Sequence, residues 1–310
     1  MLTSEKAKEL TSLCNQFRTD VVTVLHEKQT GHPGGSLSAC EILTVLYFDK
    51  MHVDPANPAW PDRDRLVLCK GHAAPMLYRV LAEKGFFPKE EMHTLRDLGT
   101  RLQGHPCMIE TPGVDMSSGP LGIGLSAALG MALSLKMDNS FARIYAVLGD
   151  GEINEGTVWE SCMAASKYGA DNLCAILDWN DVQLDGTADQ IMPMGDIKAK
   201  FTAFGWNCIE CDGHDVAALS IALDSAEAAK GVPSIILAHT VKGKGVSFME
   251  GQPGGFPGCL RGNPPDTTPS GQGGPLRPRI ASRRGRSSSP APFRWAGCIH
   301  PPGILGPRRG

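Results

Sequence analysis

RIYAVLGDGEINEGTVWESCMAASKYGADNLCAILDWNDVQLDG, residues 143–186, is the stretch around which the rest of the chain is arranged. Its pattern predicts a strand from Arg143 to Leu148, a Gly149-Asp150-Gly151 turn, a helix from Asn154 to Tyr168 and a second apolar strand from Leu173 to Trp179. Val158, Cys162, Ala165 and Tyr168 fall on one helical face, and Gly169 stands where a helix stop is expected. In such a βαβ unit the second strand is parallel to the first, and both end at one carboxyl edge of the sheet. Asp150 and Asn180 then face each other across the crevice where open α/β sheets bind ligands. A carboxylate oxygen, an amide oxygen and a backbone carbonyl just beyond form a partial shell for Mg²⁺, which keeps sites free for phosphate oxygens. Gly149 and Gly151 lack side chains, so the backbone there can approach a diphosphate closely. Alone, Gly-Asp-Gly after a strand is an ordinary turn; Asn180 in register is what raises it to a candidate site.

Outward from this unit the same α/β grammar continues. Ser4 is expected to cap a first helix running to Glu27, with Leu10, Leu13, Phe17, Val21, Val24 and Leu25 on its buried side. GHPGGSLSACE (31–41) reads as a glycine-rich loop carrying His32, with Ser38 and Glu41 at capping-box spacing for the next helix. Arg65 to Cys69 reads as a strand, Lys70-Gly71-His72 as its turn, and Ala73 to Lys84 as a helix stopped by Gly85. The helix amides beyond His72 favour an anion nearby. A helix is expected from Pro88 to Leu98. His105 follows in a Gly-His-Pro turn, and Gly119-Pro120-Leu121-Gly122 precedes a helix rich in small residues. Further helices at 197–204 and 216–230 and strands at 206–212 and 234–240 complete a parallel sheet flanked by helices.

GDG, a closing Asn about thirty residues on, GHPGGSLS, KGHAAP and GPLG together resemble the thiamine diphosphate-binding domain of transketolases, and the resemblance runs to about Glu250. It implies that Asp150, Asn180 and the Val182 carbonyl carry Mg²⁺ (or Ca²⁺ or Mn²⁺) and that Gly151 touches the diphosphate. By the same resemblance Gly119, Pro120, Leu121 and His72 hold the cofactor, and Glu155 lies where paired subunits meet. His32, His72 and His105 are implied at the reacting centre, as histidines titrating near neutrality. Ile123 departs from the family's glutamine in GPLGQG, a change that backbone contacts should survive.

Residues 1–250 hold 21 Lys and Arg against 32 Asp and Glu, a balance of −11, so the body offers no basic face for nucleic acid. Ten cysteines are scattered singly among apolar segments, as buried free thiols in a reducing compartment would be. The one CxxC, Cys208 and Cys211, has no second pair at zinc spacing. No run is long and apolar enough for a membrane span, and the start lacks a signal-peptide core; a cytoplasmic protein is expected. Residues 251–310 hold 13 Gly, 12 Pro and nine Arg but no Lys. That composition predicts disorder and suggests out-of-frame translation. The family's Trp-His-Gly triplet is not recognisable there, and His300 does not replace it.

The resemblance implies transfer of a two-carbon ketol unit from a ketose phosphate to an aldose phosphate, and with it the pentose phosphate pathway. The pyrimidine-binding domain, with the glutamate that activates the cofactor, is absent from this sequence. A separate C-terminal subunit in an α2β2 assembly is therefore implied. The α subunit of a 2-oxo acid dehydrogenase E1 component and a non-catalytic truncated paralogue are the alternatives.

Overall fold

Five parallel strands form the centre of the computed structural model, which describes residues 2–253. They are β1 (Arg65–Leu68), β2 (Ile144–Gly149), β3 (Leu173–Trp179), β4 (Asn207–Asp212) and β5 (Ser234–His239), in the order β1-β2-β3-β5-β4. The central pair is in register from Ile144 opposite Leu173 to Gly149 opposite Asp178. The two strands of the opening stretch are thus adjacent and parallel, as their pattern predicts. The predicted Gly/Pro/Arg-rich tail beyond Pro253, with His300, lies outside the described residues.

Alternation along each strand explains why both faces of the sheet are covered. Leu66, Leu68, Tyr145, Val147, Cys174, Ile176, Ile236 and Ala238 point to one side. There they join the helices α1 (Ser4–Lys28), α2 (Pro33–Ser38), α3 (Cys40–Val45), α4 (Ala74–Lys84) and α9 (Val216–Ala228). Val67, Ile144, Ala146, Leu148, Leu173, Ala175, Leu177, Ile235 and Leu237 point to the other, against α5 (Ile123–Met137), α6 (Gly156–Lys167) and α8 (Ile197–Ala203). The four-residue α7 (Ala188–Ile191) sits in the loop after β3. Cys208 packs on one face and Cys211 on the other, so the CxxC thiols point apart. Cys14, Cys40, Cys69, Cys162 and Cys174 are buried and free, as expected.

Four local expectations need correction. The cap of α1 is Thr3, whose hydroxyl accepts from the Lys6 amide, and not Ser4. Residues 33–38 are helical rather than a loop: Pro33 at the first position presets the backbone. The low helix propensity of Gly34 and Gly35 is outweighed by packing, since a Cβ on either would come within 3.0 to 3.2 Å of Lys242 or His72. Ser38 and Glu41 form no capping box. Ser38 instead donates to Asp178 at 2.6 Å, and Glu41 pairs with Arg18 at 2.6 Å. The helix expected over 88–98 is only a 3₁₀ segment, Lys89–Thr94, because the chain leaves helical geometry at Leu95 and Arg96 takes φ of 63°.

Candidate cofactor and active site

The carboxyl ends of β1, β2, β3 and β5 and the start of α2 converge on a cavity of about 480 Å³. That is within the usual range for a small-molecule site. His32, His72, His105, Gly119, Leu121, Asp150, Gly151, Asn180 and Val182 all line it. Pro120 and Glu155 do not. Pro120 is exposed, and Glu155 is an exposed N-cap of α6 beside Gly122.

Asp150 is held by the backbone. Its Oδ1 accepts from the Gly151 amide at 2.8 Å, and its Oδ2 accepts from the amides of Asn180 at 2.9 Å and Asp181 at 2.6 Å. One carboxylate therefore fastens the end of β2 to the end of β3, where Asp181 adopts φ of 58°. Burial, then the nearby Asp178 carboxylate, pushes the Asp150 carboxyl up to about 6 despite those three amides. Asn180 keeps its side-chain oxygen 3.3 Å from the Val182 amide. Among the described residues no group of three or more His, Cys, Asp or Glu is placed to hold a metal. The donors available here are a carboxylate, an amide oxygen and a backbone carbonyl.

Three histidines line the same cavity. The rings of His32 and His72 meet edge to face, 5.5 Å between centroids. Burial, followed by Lys70, His32, His105 and Lys242, holds His72 down at about 3. His72 is therefore neutral at physiological pH, contrary to the expectation that all three titrate near neutrality. His32 and His105 are also lowered, in each case by burial first and then by the Arg96 guanidinium.

Several residues at the site escaped the sequence reading. Lys70, fully buried, donates to the Gly35 carbonyl at 2.9 Å and forms an ion pair with Asp178, which also accepts from Ser38 and Thr240. Burial would push the Asp178 carboxyl up, but Lys70 and the two hydroxyls win and lower it. A carboxylate inside the apolar run LCAILDW was the available signal, since a charge in a buried parallel strand needs a partner. Lys242, just past β5, donates to the Gln183 carbonyl at 2.9 Å and lines the cavity with Gln183 and Leu184. Glu152 also lines the cavity, accepting from the Gly122 and Gly149 amides at 2.9 and 3.2 Å.

Comparison with known proteins identifies the family. Residues 10–261 match the family model described as transketolase, thiamine diphosphate binding domain. The chain is 46% identical over 249 residues to the 6-deoxy-6-sulfo-D-fructose transketolase subunit SqwG of Clostridium sp. (strain MSTE9), covering 80% of this chain and 90% of that one. It is 42% identical to an apulose-4-phosphate transketolase subunit of Phocaeicola vulgatus, covering 78% and 85%. Against the Campylobacter jejuni transketolase structure the TM-score is 0.75 at 32% identity, covering 78% of this chain but 39% of that one. The chain thus spans about two fifths of that transketolase and most of the relatives named as subunits. The 2-oxo acid dehydrogenase alternative finds no support among these relatives. With a parallel sheet that closes Asp150 onto Asn180 and a matching family model over most of its length, the chain belongs to the transketolase thiamine diphosphate-binding domain family, in the extent of a separate transketolase subunit.

Proposed function

We propose that residues 1–250 form the diphosphate-binding domain of a two-subunit transketolase that moves a two-carbon ketol unit from an anionic ketose to an aldose. The observation that supports this most is the meeting of Asp150, Asn180 and Val182 with three histidines around one glycine-floored cavity. The sugars named for the two subunit relatives widen the substrate class from pentose phosphates to ketoses ending in a phosphate or a sulfonate. The partner is a C-terminal subunit with a pyrimidine-binding domain, in an α2β2 assembly. The acidic body and buried thiols suit the cytoplasm. No helix among the described residues is long and apolar enough to cross a membrane.

The residues fit the group they would hold. Burial, and then Asp178, disfavours the ionised Asp150 carboxylate, a cost that a divalent cation bound to it would offset, and the Asn180 oxygen and Val182 carbonyl complete a hard-donor set for Mg²⁺, Ca²⁺ or Mn²⁺. Gly35, Gly119, Gly149 and Gly151 leave the cavity floor without side chains. When bound, thiamine diphosphate supplies the carbanion that makes and breaks the carbon–carbon bond. Neutral His72 serves as a fixed hydrogen-bonding group toward it. His32 and His105 take and return protons on substrate hydroxyls and stabilise alkoxide charge. Lys242 adds positive charge in the same cavity.

Reconstitution tests this reading. The chain with its partner should transfer ketol units from an anionic ketose to an aldehyde acceptor in the presence of thiamine diphosphate and Mg²⁺, and neither polypeptide should do so by itself. Comparable turnover by this chain without its partner would refute it.

A further inference from the structure

Glu152 takes no part in the chemistry proposed for the cavity, yet it is the most enclosed carboxylate at the floor after Asp178, 2% exposed. Its position is unusual in what it joins. One oxygen accepts the Gly122 amide at 2.9 Å and the other the Gly149 amide at 3.2 Å. Gly149 ends β2, immediately before Asp150. Gly122 ends the GPLG loop and starts the fifteen-residue α5. No side chain of that helix caps its own N-terminus, so the Glu152 carboxylate also faces the positive end of the helix dipole.

Gly122 needs such a hold. It adopts φ of 89°, and a Cβ there would lie 2.7 Å from Glu155 Cβ and from Thr157 Oγ1. Its conformation is thus set from outside, by a bond to its amide and by close packing. The loop it ends places Gly119 against His105, where a Cβ would come within 3.4 Å of the ring, and places Leu121 on the cavity wall. Burial raises the Glu152 carboxyl even though both amides lower it, and Lys70 is the cation that acts on it.

We infer that Glu152 is a positioning residue: a buried clip between the Gly149 and Gly122 amides that fixes the GPLG loop against the Asp150 turn and so sets the width of the diphosphate cradle. This rests on the proposed cofactor site and adds to it a specific determinant of cofactor affinity. Its carboxylate accepts from two backbone amides, and the role assigned to it is to hold them in place. A carboxylate is required because both amides need an acceptor; a glutamine side chain has only one acceptor oxygen.

The test uses the full chain with its partner subunit, comparing wild type, E152A and E152Q by calorimetric titration of thiamine diphosphate in Mg²⁺ and by amide hydrogen exchange of the peptide covering 119–124. The inference expects thiamine diphosphate affinity to fall tenfold or more in E152A and by an intermediate factor in E152Q. Exchange at 119–124 should accelerate in the same order, with turnover at saturating cofactor much less affected than the cofactor concentration needed. If E152A does not fold, E152Q alone decides, since it preserves size and burial. Wild-type affinity and wild-type exchange in E152Q overturn the inference. Failure of the wild type itself to bind thiamine diphosphate overturns the cofactor site and this inference with it.

Discussion

Asp150 carries two opposed demands. The folded protein without metal holds its carboxyl at about 6, above the 3.8 of an unperturbed aspartate. The contribution of this group to stability is therefore full below pH 3.8 and is lost as pH rises through about 6, where the buried charge appears. A cation reverses that sign by binding the ionised form. Mg²⁺ should raise the melting temperature at pH 7.5 and have little effect at pH 5, with affinity falling about tenfold per pH unit below pH 6 as proton and metal compete; fluorimetric melting across pH measures this. His72 behaves oppositely. Its folded value of about 3 lies below the unfolded 6.5, so its stabilising contribution is present above 6.5 and is lost as pH falls toward 3. Relative to His72→Gln, the wild type should lose up to about 5 kcal/mol across that window, read by urea denaturation at stepped pH. Lys70→Met leaves Asp178 buried without its cation and should cost about 3–5 kcal/mol.

Elements with one clear period were legible from sequence, and elements fixed by tertiary contact were not. β3 is found where LCAILDW predicts it, and α4 stops at Gly85, whose φ of 102° only glycine adopts freely. Residues 33–38 carry two glycines and no period, and only their packing on Lys242 and His72 makes them helical. The expected helix at 88–98 fails because Arg96 turns toward Thr30, donating to its hydroxyl at 2.8 Å. The same limit applied at the site. Motifs of known spacing brought out Asp150, Asn180 and the histidines, whereas Lys70, Asp178 and Glu152 owe their importance to partners distant in sequence. Gly122→Ala should cost about 1–3 kcal/mol by forcing an L residue into the left-handed region against Glu155, measurable as a shift in urea midpoint.

At the scale of the molecule, the sheet closes its two apolar faces with its own helices, but the cavity mouth is left open. Leu121 and Leu184 line it and are 40% and 64% exposed. On the proposed reading the partner subunit covers them. Leu184→Asp should then weaken assembly at least tenfold by analytical ultracentrifugation while leaving the melting temperature of the isolated chain unchanged. The central claim is that Asp150 and Asn180 pin a metal-bound diphosphate at the edge of the sheet. Calorimetric titration of thiamine diphosphate into the assembled subunits tests it most directly. The account predicts binding in Mg²⁺ that disappears with EDTA and with Asp150→Ala; wild-type affinity in Asp150→Ala would contradict it.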